Sequence, residues 1–329
     1  MSFAFPPFAV QAAESTLALV KERGHLVCGV SQGLPGFSSP DDKGNWRGLD
    51  IDLCRAVAAA IFGDVEKVKF APVSSKVRFT ALQSGEIDLL VRNTTWSMHR
   101  DTALGADFVA VNYYDGQGFM VRRDTGVKSA LELDGASLCT NAGTTTELNA
   151  ADYFRANDMN YEINTFENAN ESVAAYAAGR CDAYTTDQSA LYAYRLQLRD
   201  PDAHIILPEI ISKEPLGPVV RQGDAQWGDI VKWSHYAMLT AEELGVNSTN
   251  VDAMRKSKNP TIRRLLGIEG SFGDNLNIPA DWAYQIIRTV GNYGESFARN
   301  LGKDSPLKIE RGLNAQWNKG GLQYAPPIR

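Results

Sequence analysis

The stretch ALQSGEIDLLVRNTT, residues 81–95, joins the end of a predicted helix, a glycine, an apolar strand and a polar strand end. A second stretch, AYAAGRCDAYTTDQS at residues 175–189, superposes on it at an offset of 94 residues. The superposition matches three pairs of residues: Gly85 with Gly179, Asp88 with Asp182, and Asn93 with Asp187. A repeated helix–strand unit predicts two lobes of similar α/β design.

Strand and helix patterns alternate on the N-terminal side of the first stretch. The predicted strands HLVCGVS, VKFAPV and IDLLV are separated by the predicted helices GLDIDLCRAVAAAIFG and SKVRFTALQSG. Asp50 is the predicted N-cap of the first helix, and Gly63 is predicted to end it. The alternation predicts an α/β fold in which each lobe is a mostly parallel sheet flanked by helices.

Two glycine-containing passages are predicted to cross between the lobes and act as a hinge. They are DGQGFMVRRD at residues 115–124 and EPLGPVVRQGD at residues 214–224. If the chain crosses twice, lobe 1 comprises residues 25–117 and 222–329, and lobe 2 comprises residues 122–217. The C-terminal part of lobe 1 carries a 4-4-3-4-4 apolar spacing that predicts one core-facing helical stripe: Trp282, Ile286, Val290, Tyr293, Phe297 and Leu301.

Length and composition narrow the class of protein. At roughly 150 residues per domain, 329 residues predict about two domains. The net charge of −6 and the lack of a dense Lys/Arg run argue against a nucleic-acid surface. Because no apolar stretch approaches about 20 residues, the chain is not expected to cross a membrane.

The N-terminus, residues 1–24, is interpreted as the remnant of an export signal or as a plain tail. It has the small-residue pattern Val10-Gln11-Ala12 of a cleavage site but lacks a basic region. The four cysteines, Cys28, Cys54, Cys139 and Cys181, form no C-x-x-C pair, so no zinc site is predicted. One bridge per lobe, 28–54 and 139–181, fits an oxidising compartment; four buried reduced thiols are the alternative.

Polar residues cluster where the predicted strands end. These clusters are Ser31 to Gly33, Asn93 to Thr95, Gly143 to Thr146, and Thr185 to Asp187. Ligands of open α/β sheets bind outside the carboxyl ends of the strands. Two lobes that face each other across a cleft would therefore bring all four clusters together.

The clusters contain groups suited to both ends of a zwitterion. Thr145 and Thr146 offer hydroxyls and backbone N–H groups at a helix N-terminus, where Thr144 and Glu147 match a capping box. Arg100 is a second anion site, because a guanidinium grips a carboxylate bidentately; a surface arginine is the alternative. Asp187 supplies the opposite charge, or is simply an N-cap. Together these groups match the α-carboxylate and α-ammonium of an amino acid.

Long stretches of the chain resemble the periplasmic substrate-binding proteins of bacterial amino-acid ABC importers, and most closely the general L-amino-acid-binding type. The resemblance lies in GNWRGLDIDLCRAVAAAIFGD, RFTALQSGEIDLLVRNTTWSMHRDTAL, YYDGQGFMVRR, AGTTTELNAADYF, GRCDAYTTDQSALYAYRL, LPEIISKEPLGPVVRQGD and LNAQWNKGGLQYAPPIR. It implies a monomeric periplasmic protein without cofactor or metal, which closes by a hinge on a free L-amino acid and delivers it to the permease subunits of the inner membrane.

The family's binding residues carry over to positions of this chain. The carboxylate arginine falls on Arg100, the ammonium-binding aspartate on Asp187, and the remaining hydrogen-bonding positions on Asn93, Thr95, Thr145 and Thr146. Binders of basic amino acids have an acid and an aromatic residue where this chain has Ser31 and Leu34, so broad specificity is predicted instead. Trp96 lines the side-chain pocket or packs in the core.

An enzyme and a sensor module are the two alternative functions. A periplasmic enzyme of the dehydratase type would need a tuned acid, base or nucleophile. Only His99 lies near the predicted cleft, and no G-x-S-x-G, H-E-x-x-H or phosphate-loop motif occurs, so no catalytic residue is predicted. A sensor module is expected to be followed by a transmembrane helix and a signalling domain, which this sequence does not contain.

Overall fold

The structure is a computed structural model that describes residues 15–329. Its strands are β1 (Leu26–Val30), β2 (Ser39–Pro40), β3 (Trp46–Arg47), β4 (Val68–Pro72), β5 (Leu89–Leu90), β6 (Ala106–Phe108), β7 (Tyr113–Asp115), β8 (Gln117–Arg122), β9 (Ala136–Asn141), β10 (Tyr161–Phe166), β11 (Ala183–Asp187), β12 (His204–Ile206), β13 (Glu214–Leu216) and β14 (Val219–Arg221).

Helices cover these strands and are the main regular elements of the C-terminal third of the chain. They are α1 (Thr16–Arg23), α2 (Leu49–Phe62), α3 (Arg78–Ser84), α4 (Met98–Ala103), α5 (Thr145–Ala156), α6 (Ala169–Ala177), α7 (Gln188–Gln197), α8 (Ala225–Glu243), α9 (Val251–Met254), α10 (Pro260–Leu265), α11 (Phe272–Leu276), α12 (Trp282–Thr289) and α13 (Tyr293–Asn300).

The chain forms two five-stranded sheets of matching design, one in each lobe. The first has the order β4-β1-β5-β14-β6, and the second has the order β10-β9-β11-β8-β12. In each sheet three consecutive strands run parallel, and the strand next to them pairs antiparallel on both sides. The predicted two-lobed α/β class is confirmed. The sheets are mixed because β8 and β14 each enter a sheet directly after the chain has crossed between lobes.

The internal repeat has a counterpart in hydrogen bonds. Asp88 precedes β5, and its carboxylate accepts a bond from the Val27 N–H at 2.7 Å, while its own N–H donates to the Val27 carbonyl. Asp182 precedes β11 and makes the same reciprocal pair with Ser137. Each aspartate therefore ties the start of a central strand to its parallel neighbour, which explains why the repeated stretch contains an aspartate at this point.

Two short strands carry the chain between the lobes. β7 and β13 pair antiparallel, with Tyr113 opposite Leu216 and Asp115 opposite Glu214. β7 lies at the edge of the first predicted crossing, and β13 lies within the second. The C-terminal region packs against this ribbon, since the Asn314 side chain accepts a bond from the Tyr114 N–H and donates to its carbonyl. The region beyond Ser271 thus supports the hinge as well as covering lobe 1.

Three local predictions differ from the structure. Residues 15–24 are not a tail: α1 packs on lobe 1 with Leu17 and Val20 buried, while the predicted cleavage site at residues 10–12 lies outside the described residues. Gly48, and not Asp50, is the N-cap of α2, which begins at Leu49, and the buried Asp50 carboxylate accepts bonds from Asn93 and Asn112 instead. The C-terminal apolar stripe is buried as predicted but is divided between α12 and α13, with Val290 between the two helices.

The cysteines pair as one bridge in each lobe. Cys28 in β1 is bonded to Cys54 in α2, and Cys139 in β9 is bonded to Cys181 just before β11. The prediction of two disulfides is confirmed. Within residues 15–329 no helix has the length and apolar character needed to cross a bilayer, and no cluster of three or more potential ligands is arranged to hold a metal ion.

Candidate functional site

A cavity of about 310 Å³ lies between the lobes, at the carboxyl ends of the central strands. Both lobes contribute to its lining, and all four predicted polar clusters reach it. Six of the predicted site residues line the cavity: Ser31, Asn93, Thr95, Thr145, Thr146 and Asp187. The lobes touch here, because Asn93 faces Asp187 at 3.4 Å and the hydroxyls of Thr95 and Thr145 lie 3.3 Å apart.

The other two predicted site residues lie outside this lining. Arg100 is buried behind the loop, where its Nη1 donates to the Thr95 carbonyl at 3.0 Å and its guanidinium lies 5.6 Å from the centre of the Phe79 ring. Trp96 is 37% exposed and stacks on Phe108, with ring centroids 5.6 Å apart. Arg100 is therefore adjacent to the cavity, whereas Trp96 neither lines it nor is fully buried in the core.

Asp187 is the buried acid of the cavity. It ends β11, is 6% exposed, and takes the N-cap position of α7 without forming a side-chain capping bond. Burial, together with the nearby carboxylates of Asp115 and Glu214, raises the pKa of Asp187 well above its usual value. A cation in the cavity would lower the pKa of Asp187 again, because an opposite charge nearby favours the ionised form of a carboxyl group.

Asn93 is held in place by a second buried acid that sequence analysis did not assign to the site. Its backbone is in the left-handed region at φ 38°, a conformation that asparagine tolerates better than most residues. The Asn93 N–H donates to Asp50 at 3.0 Å, and the Asn112 side chain donates to the same carboxylate at 2.9 Å. Burial raises the pKa of Asp50 to about 6. Asp50 thus orients the residue that faces Asp187.

Two arginines in the lining were missed by sequence analysis. Arg78 begins α3 and Arg92 follows β5; they are 2% and 7% exposed. Among the described residues, each guanidinium donates one bond to a neutral hydroxyl: Arg78 Nη1 to Thr94 at 3.3 Å, and Arg92 Nη1 to Ser75 at 3.1 Å. Within residues 15–329 the Nε atom of each is buried without a partner, and neither forms a salt bridge.

Burial also affects the charge of these guanidinium groups. It lowers the pKa of Arg78 well below the usual value and lowers the pKa of Arg92 to about 10, so Arg92 keeps its charge at neutral pH. A buried cation without an ionic partner is costly unless a ligand supplies one. The position of Arg92, directly after the predicted apolar strand, was a sequence feature that could have indicated a site residue. Only the fold shows that the side chains of Arg78 and Arg92 turn toward the cavity.

The start of α5 is available to an anion. Thr144 is the N-cap by position, but its hydroxyl donates to the Asn141 carbonyl at 2.7 Å, so the predicted capping box is not formed. The first N–H groups of a helix have no partner within the helix, and they attract negative charge. Thr145 and Thr146, which occupy this first turn, line the cavity.

Glu214 in β13, which sequence analysis also missed, lies behind the lining. It is 2% exposed, and its two carboxylate oxygens accept bonds from both lobes and from the hinge. The donors are the side chains of Thr95, Thr145, Asn149 and Ser212. Glu214 is 119 residues from Thr95 in the chain, and this separation explains why local sequence patterns do not reveal the contact.

Two sheets joined by a crossing ribbon, with a polar cavity between them, define the class of two-lobed solute-binding proteins. The chain belongs to the bacterial extracellular solute-binding proteins, family 3, whose model matches residues 26–261. The C-terminal helices beyond residue 261 therefore lie outside the matched region.

Individual relatives match nearly the whole chain. The general L-amino acid-binding periplasmic protein AapJ of Rhizobium johnstonii is 62% identical over 98% of this chain and 95% of its own length. The glutamate/glutamine/aspartate/asparagine-binding protein BztA of Rhodobacter capsulatus is 55% identical over 97% of this chain and 94% of its own. A periplasmic binding protein from Brucella ovis, solved with glutathione bound, is 62% identical and covers 96% of this chain and 100% of its own, with a TM-score of 0.94.

Proposed function

We propose that this protein captures L-amino acids in the bacterial periplasm and delivers them to an ABC permease. The observation that carries the proposal is the convergence of Asp187, of two buried guanidiniums and of the first turn of α5 on one cavity between two lobes. Relatives named for amino-acid binding, such as AapJ and BztA, support the ligand class. A putative amino-acid ABC transporter-binding protein of Escherichia coli, YhdW, which is 56% identical over 96% of the chain, supports the permease partner.

The proposed orientation of the ligand follows from the charges around the cavity. The α-ammonium lies at Asp187, where burial and the nearby carboxylates of Asp115 and Glu214 raise the pKa, and where a positive charge would favour the ionised form. The α-carboxylate lies at the first turn of α5, within reach of the Arg100 guanidinium behind Thr95. Burial lowers the pKa of Arg100, and Glu214 and Asp187 partly offset that effect, so the site is built around mutually balancing charges.

Arg78 and Arg92 form no salt bridge within residues 15–329, and they extend the proposal to the ligand's side chain. A second carboxylate would supply the anionic partner that these cavity-lining guanidiniums lack among the described residues. We therefore propose that amino acids with acidic side chains bind most tightly among many that bind. The name of BztA, with its two acidic and two amide ligands, is consistent with this preference.

A γ-glutamyl peptide presents the same α-amino-acid head and a second, more distant carboxylate. Glutathione, which is bound in the Brucella ovis structure, is such a molecule. We propose glutathione as a second ligand of the same cavity, with its glycine carboxylate near Arg78 or Arg92. Titration with glutathione, and with its methyl ester at that carboxylate, separates this proposal from simple amino-acid capture.

The main proposal is tested by calorimetric titration against the twenty L-amino acids. The protein is first unfolded to remove bound ligand and is then refolded. We expect many chemically different amino acids to bind, because the α-carbon groups provide most of the contacts. Arg100→Ala is expected to abolish binding of all of them. Absence of binding by the wild-type protein would refute the proposed function, whereas unchanged binding by Arg100→Ala would refute only the assignment of that residue.

A further inference from the structure

Side chains from the C-terminal region hold the backbone of the first crossing on its lobe-1 side. The Asn314 side chain, which is 4% exposed, accepts a bond from the Tyr114 N–H at 2.7 Å and donates to the Tyr114 carbonyl at 3.0 Å. Two residues earlier, the Asn112 carbonyl accepts a bond from the Tyr293 hydroxyl at 2.8 Å. Tyr293 and Asn314 lie beyond residue 261, so this part of the crossing is held from outside the region that matches the family.

Lobe 2 holds the same crossing from Asp115 onward. The Asp115 carboxylate accepts bonds from the N–H and from the hydroxyl of Ser189 in α7. The Gly116 carbonyl accepts a bond at 2.7 Å from the N–H of Gln188, the first residue of α7. The partner of the crossing strand therefore changes from lobe 1 to lobe 2 between Tyr114 and Gly116.

The second crossing changes partner at the matching point. The Trp96 N–H of lobe 1 donates to the Pro215 carbonyl at 2.8 Å. One residue earlier, the Glu214 carboxylate accepts a bond from Asn149 of lobe 2 at 2.7 Å, and another from Thr95 where the lobes touch. Lobe 2 thus contributes partners to this crossing up to Glu214, and lobe 1 holds the strand from Pro215 onward.

We propose that Asn314 is a positioning residue for ligand capture, because it fixes the lobe-1 half of β7 and so confines the rotation of the lobes to a short pivot at Asp115 and Glu214. These two residues face each other in the β7–β13 ribbon, so the two changes of partner lie side by side. A hinge consists of a few residues that absorb the change in backbone dihedral angles. The inference rests on the proposed capture of amino acids by closure of the lobes.

Asn314 is itself held by lobe 1 through Arg311. The Arg311 Nε and Nη2 atoms donate to the Asn314 carbonyl at 2.9 and 2.8 Å, and Nη1 and Nη2 donate to Glu242 of α8 at 3.1 and 3.2 Å. The same guanidinium lies over the rings of Tyr293 and Phe297 in α13, 5.1 and 4.9 Å from their centres. Because bidentate arginine bonds fix geometry as well as adding energy, Asn314 is anchored to lobe 1 when the crossing strand bends.

Asn314→Ala tests the inference, with L-alanine as the probe. In the wild type Tyr114 is fixed whether or not ligand is bound, so closure of the lobes removes no freedom at this residue. In the variant Tyr114 gains backbone freedom in the open, ligand-free protein, and closure must remove that freedom again. Fixing the backbone of one residue changes an equilibrium constant by about 5-fold or more, so we expect the Kd for L-alanine, measured by calorimetry, to rise by about that factor.

Gln316→Ala is the matched control, since it removes a buried amide from the same C-terminal segment. Gln316 is 1% exposed, and its Nε2 donates to the Leu239 carbonyl of α8 at 3.0 Å rather than to β7. We expect this variant to be less stable in urea unfolding but to bind L-alanine within about 2-fold of the wild type. Equal losses of affinity in Gln316→Ala and Asn314→Ala would overturn the inference, because the segment would then act only through the stability of lobe 1.

Distances between spin labels measure the pivot directly. Nitroxide labels are attached at Lys43→Cys in lobe 1 and at Lys128→Cys in lobe 2; both positions are exposed, and the native cysteines are protected in disulfides. Without ligand, the distribution of distances should be broader in Asn314→Ala than in the wild type or in Gln316→Ala, because the lobes rotate about a longer pivot. With saturating L-alanine the three distributions should coincide. An unchanged distribution in ligand-free Asn314→Ala would overturn the inference.

Asn314→Asp applies if the alanine variant does not fold. A carboxylate keeps the acceptor for the Tyr114 N–H but has no hydrogen for the Tyr114 carbonyl, so one of the two bonds is lost. We expect a broader distance distribution without ligand and a Kd for L-alanine about 3-fold above that of the wild type. Wild-type values in both measurements would overturn the inference.

The inference and the proposed function fail separately. If the wild type binds L-alanine and Asn314→Ala matches it in Kd and in distance distribution, the inference fails while the proposed function stands. If the wild type binds no amino acid, the proposed function fails, and the distance distributions of the ligand-free proteins still decide the position of the pivot.

Discussion

Replacing Asp187 with asparagine should weaken ligand binding and stabilise the free protein. The side chain is 6% exposed, and burial and neighbouring carboxylates raise its pKa well above the usual value. For an acid whose folded pKa is raised, stability is fully present below the unfolded pKa and is lost as the pH rises through the folded pKa. Removing the charge therefore removes a destabilising group at neutral pH.

The loss of affinity follows from the same burial. Two unit charges 4 Å apart attract by about 4 kcal/mol at an effective dielectric constant of about 20, and truncating one partner of a buried pair costs about 2–5 kcal/mol. Asparagine keeps the shape but turns a donor toward the ligand's ammonium. We expect a loss of about 2–4 kcal/mol, or roughly 30- to 1,000-fold in Kd.

Calorimetric titration with L-alanine and urea unfolding of the ligand-stripped protein measure the two effects. Asp182→Asn is the matched control, because Asp182 directly precedes β11 and Asp187 ends it. Hydrogen bonds from the Ser137 side chain and N–H hold the pKa of Asp182 below its usual value, so this variant should be slightly destabilised and should bind normally. Normal binding by Asp187→Asn, or a loss of stability equal to that of the control, would refute the reasoning.

Three further changes test other parts of the site. Arg78→Gln should reduce the affinity for L-glutamate about 10-fold while leaving that for L-alanine nearly unchanged, because it removes a buried guanidinium that forms no salt bridge within residues 15–329. Equal losses for both ligands, measured by calorimetry, would argue against a side-chain subsite. Gly143→Ala should weaken binding of every ligand, because the backbone has φ 73° and a Cβ would lie 3.2 Å from the Lys76 Cα in the opposite lobe. Small-angle scattering with saturating ligand should then show that the two lobes close incompletely. Asp50→Asn should reduce the loss of folding stability that occurs as the pH rises from about 4 to about 6. The folded pKa of Asp50 is raised to about 6, and two pKa units correspond to roughly 3 kcal/mol. If the free energies of unfolding of the wild type and the variant changed in parallel across that range, this prediction would be contradicted.

The sequence by itself determined the features that depend on local pattern. Alternating strand and helix periods identified the α/β class, and the repeat at an offset of 94 residues identified two lobes of one design. One disulfide in each lobe was predicted from the distribution of the cysteines, with four reduced thiols as the alternative, and the structure shows the two bridges. The polar strand ends were recognisable because the carboxyl ends of parallel strands meet at one edge of a sheet, and six of the eight predicted site residues line the cavity there.

The tertiary structure alone decided which charges face the cavity and how they are oriented. Arg78 and Arg92 point inward while Arg100 lies behind Thr95, although all three appear in sequence as arginines near strand ends. Glu214 reaches the site from the hinge. These outcomes depend on packing between segments that are far apart in the chain, and such contacts leave no local period or motif from which the direction of a side chain can be inferred.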